Sequence, residues 1–306
     1  MTTTVALTRG GNIIMDSSKL HSAWDLVDGV LVINLDTSKE RMDKFLKDNA
    51  GTLPLDKVHR LSAVLGRNLP SYGKEPWFTE RTAERASYWG GAGGCSLSHA
   101  KAIATAKENG WRNVLIMEDD VITGNHPDAL AMLEYALTNL KGEYMLYLGY
   151  SRPTPYGCSV QKAGEHALWQ VEGVLSTFAY LVPESMYDRL LELMPTEENI
   201  WEWMSIHRAI DTFYKDTAAS IPGVKVYAIQ PDLVVHIDGV SDVSGSAITY
   251  TDKYDNTLKP HSYATPAGIL HVLGTPFRRL KVKLNAIRTH RRALNGGLPG
   301  FRKRRK

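Results

Sequence analysis

Cysteine is scarce in this chain: 306 residues contain two, Cys95 and Cys158. That scarcity gives no support to a disulfide framework, and a single bridge between the pair does not follow from sequence; a reducing compartment is the simpler expectation. Long apolar runs are also missing. No segment approaches the roughly 20 apolar residues of a membrane-spanning helix. The first 29 residues interrupt their short apolar pieces with Arg9, Asp16, Lys19, Asp25 and Asp28, so they lack the continuous stretch of a signal peptide. A cytoplasmic protein is therefore expected. The third absence is local. From Phe277 to Lys306 there is no Asp or Glu but twelve Lys and Arg, which leaves 24 basic against 33 acidic residues in positions 1–276. The body carries about −9 and the tail about +12, an asymmetry that points to an acidic partner for the tail.

What is present is ordinary globular material, 43% hydrophobic and 23% charged, enough for one sizeable core. The expected organisation is a lead-in over 1–28, one α/β domain over 29–276 and a basic amphipathic tail over 277–306. Val30-Leu31-Val32-Ile33 reads as a buried strand of a mostly parallel sheet, with Asp36 or Ser38 capping a helix that runs through Lys47. Val58 to Val64 reads as a second strand. The glycines and prolines between Pro70 and Gly94 read as loop, with a modest helix around Glu80 to Tyr88; Ser96 then caps a helix stopped by Gly110. Asn113 to Met117 is another buried strand. A helix over His126 to Leu140, strands over Tyr144 to Leu148, Val174 to Val182 and Lys225 to Ile229, and helices over Glu184 to Leu193 and Ser205 to Tyr214 continue the alternation, which favours α/β architecture. No internal repeat is visible.

The informative junction is Met117 to Asp120. Three carboxylates, Glu118, Asp119 and Asp120, follow an apolar strand directly, and burying unpaired charge costs several kcal/mol, roughly, or more. They belong at the carboxyl edge of the sheet, where open α/β sheets bind ligands. Clustered carboxylates there suit a hard divalent cation, Mg²⁺ or Mn²⁺, bridging the phosphates of a nucleotide. The alternative is that Glu118 and Asp119 cap the next segment and stay solvated.

Seven segments occur in a telling order: Val30 to Arg41 (VLVINLDTSKER), Val58 to Gly66 (VHRLSAVLG), Gly93 to His99 (GGCSLSH), Val114 to Val121 (VLIMEDDV), Gly173 to Val182 (GVLSTFAYLV), Ala209 to Tyr214 (AIDTFY) and Pro231 to Val243 (PDLVVHIDGVSDV). Together they resemble glycosyltransferase family 25, which includes lipopolysaccharide galactosyl- and glucosyltransferases and collagen hydroxylysine galactosyltransferases. The resemblance spans roughly residues 30–243 and implies a GT-A fold, a UDP-hexose donor, a saccharide acceptor and inversion at the anomeric carbon. It also implies roles. Asn34 and Leu35 lie beside the nucleotide's base and ribose; Arg41 contacts the donor or an acidic neighbour; Asp120, with Asp119 or Glu118, reaches the metal and ribose; His99 supports or lines the site. Asp211 is a candidate for acceptor binding or general base, and Asp242, in the Ser241-Asp242 pair, is the other candidate base. His236 stands where many relatives would carry an uncharged polar residue. Read as a third metal ligand, it leans the choice toward Mn²⁺.

Each assignment has a plainer counterpart. Asp211 could pair with Arg208 or Lys215, His99 could be a hydrogen-bonded core residue, and Cys95 reads as packing. Trp201, Trp203, Phe213 and Tyr214 either stack on a sugar or fill the core. In the tail, Phe277, Leu280, Leu284, Ile287 and Leu294 approximate one helical face ringed by Arg and Lys, which suits an anionic membrane surface and a lipid-linked acceptor. Nucleic-acid binding through the tail is the rival class of function, disfavoured beside the enzyme reading. A protein hydroxylysine acceptor is the rival within the same chemistry.

Overall fold

Apolar runs in the amino-terminal half become strands covered on both faces. In the computed structural model, which describes residues 22–154, 156–237, 239–240, 247–248, 259–260 and 266–300, a four-residue helix α1 (Ser22–Asp25) leads into β1 (Gly29–Asn34). Helix α2 (Lys39–Asp48) returns the chain to β2 (Val58–Ser62), and the long α3 (Ala86–Glu108) returns it to β3 (Asn113–Glu118). Both β2 and β3 pair parallel with β1. Ser38 does occupy the position before α2, but its side chain makes no capping bond. Asp36 instead accepts from Arg60 and Ser62.

The chain then forms β4 (Val121–Thr123), α4 (Pro127–Asn139), β5 (Tyr144–Gly149), β6 (Arg152–Pro153), β7 (Tyr156–Ala163), β8 (His166–Val171), β9 (Val174–Leu175) and β10 (Ala179–Pro183). Helices α5 (Tyr187–Leu193), α6 (Ile200–His207) and α7 (Ile210–Asp216) precede β11 (Lys225–Gln230) and β12 (Val234–His236). Short pieces β13 (Gly239–Val240), β14 (Ala247–Ile248) and β15 (Lys259–Pro260) lead to α8 (Pro266–Leu294). The main sheet has nine strands in the order β15-β7-β8-β11-β5-β10-β3-β1-β2. Following the pairings across it, β10 and β8 run against the other seven strands, which share one direction. The expected α/β class with a mostly parallel sheet is the one observed.

The sheet splits the core into two layers. Trp89, Ile103, Tyr147, Tyr180, Trp201 and Phe213 pack with α3, α5, α6 and α7 on one face, while Phe45, Leu133, Leu148 and Tyr227 pack with α2 and α4 on the other. No helix among the described residues is long and apolar enough to cross a membrane.

Three local readings change. The glycine-rich stretch expected as loop is helix: α3 begins at Ala86, so Ser96 lies in its interior, where its hydroxyl donates to Ala92 O at 2.8 Å. Packing overrides the low helix propensity of glycine here. The chain following β2 lies so close to α3 that a Cβ on Gly66 would sit 1.8 Å from Gly90 O, and one on Gly94 would sit 2.3 Å from Val64 O. The segment Ser205 to Tyr214 is two helices, because Arg208 adopts φ +71° and breaks the run. Val174 to Val182 likewise divides into β9 and β10 around Ser176, which has φ +72°. The β7–β8 hairpin was not expected from periodicity, since β7 is largely polar and the apolar residues of β8, Ala167, Leu168, Trp169 and Val171, do not alternate with polar ones.

Candidate active site at the carboxyl edge of the sheet

Strand β3 runs through Val114, Leu115, Ile116 and Met117, none of them exposed, and delivers Glu118 at its last position. Asp119 and Asp120 form the turn into β4. That short strand pairs antiparallel with β12, in a register that sets His236 opposite Val121, and Ile237 N donates to Asp120 O at 2.9 Å. A pairing across more than a hundred residues thus seats an imidazole against the acidic turn.

The three carboxylates have different surroundings. Asp119 is 8% exposed; its Oδ2 accepts from Asn34 Nδ2 at 2.6 Å, and its Oδ1 accepts from Arg41 Nε at 2.9 Å and from Arg41 Nη2. Asp120 Oδ2 lies 2.9 Å from Arg41 Nη2. Its Oδ1 is buried without a hydrogen bond, with His236 Nε2 at 3.3 Å. Glu118 Oε1 lies 3.9 Å from His99 Nε2, a fully buried nitrogen that also lacks a hydrogen bond. His99 Nδ1 meets Tyr180 Oη at 2.8 Å, and Tyr180 Oη meets Tyr214 Oη at 3.1 Å.

These surroundings set the charges. Burial and the neighbouring Glu118 push the Asp120 carboxyl up to about 6, against the pull of His236 and Arg41. Burial also works to raise Glu118, but His99, His236 and Arg41 outweigh it and hold that carboxyl below its usual range. Glu118, Asp120 and His236 each turn one ligand atom to a common point, the three atoms lying within 4.8 Å of one another. The set fits a divalent cation, since it gathers two carboxylates and an imidazole around a buried oxygen that no proton donor satisfies. Asp119 stands outside this convergence, its oxygens taken up by Arg41 and Asn34.

A cleft of about 290 Å³ opens beside the set, lined by Leu35, Arg41, Arg67, Ser87, Asp119 and Asp120 among others. A second cavity of about 190 Å³ adjoins it and holds Asp211 with Ser176, Thr177 and Tyr88. Cys95, Glu118 and His236 line both. Burial raises the Cys95 thiol well above its normal range, which keeps it neutral, and both cysteines are free.

The expected site residues are distributed accordingly. Leu35, Arg41, His99, Glu118, Asp119, Asp120 and His236 surround the first cleft. Asn34 lies beneath it, 1% exposed, bridging Asp119 and Arg60, whose Nε donates to Asn34 Oδ1 at 2.7 Å. Arg41 meets acidic neighbours. Asp211 sits in the adjoining cavity, where its Oδ1 accepts from Thr212 N at 2.6 Å; Lys215 pairs with Asp216 instead. Asp242 lies outside the described residues. Trp201, Trp203, Phe213 and Tyr214 are core, 0–6% exposed. Sequence reasoning assigned no role to Arg67, Ser87 or Tyr180. Arg67 Nη2 donates to Ser87 Oγ at 2.6 Å on the cleft wall, and its nearest sequence signal is Gly66, which lets this loop press against α3.

No protein-family model matches the chain, and no curated protein matches it. Among solved structures, similar chains include a mannose-1-phosphate geranyltransferase from Thermus thermophilus, at 14% identity and TM-score 0.34, with 66% of this chain and 73% of that one covered. A197 from STIV matches at 9% identity and TM-score 0.36, covering 76% and 98%. A glycosyltransferase involved in glycosylation of the major capsid of PBCV-1 matches at 14% identity and TM-score 0.33, covering 70% and 94%.

Proposed function

We propose that the chain is a GT-A-type glycosyltransferase, similar to family 25, that moves galactose or glucose from a UDP-sugar to a saccharide acceptor with a divalent cation. The observation that carries this reading is the convergence of Glu118, Asp120 and His236 at the mouth of two adjoining cavities. A transferase needs two substrate compartments meeting at one reacting centre. The first cleft, with Arg41 and Arg67, suits the nucleotide diphosphate; the second, with Asp211, suits the acceptor.

Glu118, Asp120 and His236 would hold the cation, and their mixed oxygen and nitrogen donors favour Mn²⁺ over Mg²⁺. Bound there, a cation neutralises the departing diphosphate. Asp119 is a positioning residue: held by Asn34 and Arg41, it fixes Arg41 beside Asp120, leaving Asp120 Oδ1 for the metal. Asp211 is the base of choice among the described residues, taking the acceptor hydroxyl's proton as the new bond forms. The family resemblance supports inversion and an acceptor of lipopolysaccharide or another surface glycan.

The test is UDP release from a panel of UDP-sugars with Mn²⁺, with and without EDTA, beside Asp120→Ala. Release from one donor that EDTA and the substitution both abolish is expected. An absence of binding or turnover with every sugar nucleotide would overturn the reading.

A further inference from the structure

Helix α8 presents two opposite faces, and only one of them is used by the other described residues. Toward the body, Ala293 is 1% exposed, His290 Nδ1 meets Ser205 Oγ at 2.7 Å, and the His290 ring stacks near Trp77 at 6.3 Å. Thr275 Oγ1 donates to Glu172 Oε1 at 2.8 Å, and Arg278 Nη2 lies 3.3 Å from the same carboxylate. The chain past the helix is fastened too: Leu298 is fully buried, its N–H donates to Trp77 O at 2.7 Å, and Trp89 Nε1 donates to Pro299 O at 3.0 Å. The helix therefore starts before the expected tail boundary at 277 and is docked against α6.

Opposite that docked side, Leu270, Leu273, Phe277, Leu280, Leu284 and Ile287 recur at alternating steps of three and four residues. They are exposed by 69%, 64%, 76%, 55%, 45% and 49%. At about 100° per residue these positions form one stripe, roughly half a turn from Val282, Ala286 and Ala293. Lys281, Lys283, Arg288, Arg291 and Arg292 flank it, and the helix contains no acidic residue.

We infer that this outward face of α8 docks on an anionic lipid bilayer, with the apolar stripe entering the headgroup boundary and the flanking Lys and Arg meeting lipid phosphates. The charge pattern selects this occupant. A stripe at heptad spacing could pair with a second copy, but every flanking charge would then face its like, with no Glu or Asp to relieve it. A nucleic acid would satisfy the basic residues and leave six large apolar side chains without a function. A bilayer with anionic headgroups serves both. Because the opposite side of the helix is fastened to the body, such docking would fix how the protein stands on the surface. The inference is independent of the sugar-transfer reading.

The experiment is flotation of the full-length protein with vesicles of neutral phosphatidylcholine and with vesicles containing anionic phosphatidylglycerol. Wild type should float with anionic vesicles only, less so as salt rises. Phe277→Glu combined with Leu280→Glu, and separately Lys281→Glu combined with Arg288→Glu, should each weaken binding at least tenfold. Unchanged thermal melts would show that both variants fold, since these side chains face solvent. Three results would overturn the inference: no flotation with anionic vesicles, flotation that survives both variants, or a concentration-dependent dimer that the Phe277/Leu280 change dissolves while vesicle binding persists. Tighter binding to a duplex oligonucleotide than to anionic vesicles at the same salt would overturn it as well.

Discussion

At the end of β3 four unexposed apolar side chains give way to three carboxylates, each of which finds a cation or an imidazole: His99 for Glu118, Arg41 for Asp119, Arg41 and His236 for Asp120. Along α8 the arrangement is reversed. Large apolar side chains face solvent, and basic ones flank them with no acid on the helix to answer. In the first region charge has been brought into low-dielectric surroundings and held there by partners from α2, α3 and β12, which is costly unless the site uses it. In the second, nothing was desolvated, so the fold spends little on it and its stability owes little to those residues. The inner region should therefore punish substitution and the outer face should tolerate it.

After the loss expected at Asp120, the largest effect is expected at Glu118. Glu118→Gln keeps the shape but removes the charge that faces both cavities and the His99 nitrogen, and sugar-nucleotide turnover should fall by ~10² to 10³-fold or more. A fall below tenfold, measured as UDP release at saturating Mn²⁺, would remove Glu118 from the proposed cation set.

Packing around the same site gives the next test. Gly66→Ala places a methyl carbon 1.8 Å from Gly90 O, a backbone atom that cannot swing aside. The loop carrying Ala63, Val64 and Arg67 must then lift from α3, costing about 3 kcal/mol and weakening donor binding. Urea unfolding reads the first effect and UDP titration the second; a variant of wild-type stability would show that this contact yields easily.

The pH dependence comes from two half-buried groups, Asp232 and His207. Burial raises Asp232 to about 7 despite the Tyr150 hydroxyl beside it, so the folded state holds its proton longer than the unfolded chain does. Stability should accordingly fall as pH rises from about 4 to 7. His207 has the opposite effect on the acid side: burial lowers it to about 4, and stability is lost as pH drops from about 6.5 toward 4. Asp232→Asn should remove the first decline, gaining ~2 kcal/mol at pH 8 relative to wild type while changing little at pH 4. Equal gains at both pH values would mean that the carboxylate's ionisation is not the cause.

These regions also differ in how much of them the sequence disclosed. Strands β1 and β3 are continuous β-branched and aliphatic runs, and carboxylates directly after β3 have no low-cost place except the sheet edge, so both the architecture and the acidic turn were legible. His236 was legible as a candidate, but its seat beside Asp120 depends on the three-residue β4–β12 pairing, too short and too distant to read from periodicity. Helix α3 was misread where Gly90, Gly93 and Gly94 stand. Intrinsic propensity argues against a helix there, and only tertiary neighbours explain why side chains are excluded: the chain following β2 presses on Gly90 and Gly94, and Trp201 and Met204 of α6 press on Gly93. The outer face of α8 was legible because nothing tertiary competes with its pattern, whereas the docking of His290 and Ala293 was not, since a polar and a small residue give no signal of burial, and Leu298 is a single apolar residue among glycines and a proline with no period to place it.

The smallest expected effect is the one that most sharpens the contrast between regions. Leu115 on β3 and Leu280 on α8 are the same side chain, unexposed in one place and 55% exposed in the other. Leu115→Ala removes buried methyl groups from the core layer that the sheet shares with α2 and α4 and should cost ~2–5 kcal/mol. Leu280→Ser removes apolar surface that water already touches, and should change stability by no more than about 0.5 kcal/mol in solution. Chemical denaturation of the two variants in vesicle-free buffer measures both. A loss of several kcal/mol at Leu280 would mean that the stripe is already covered within the protein, and the face assigned to the bilayer would instead belong to the fold.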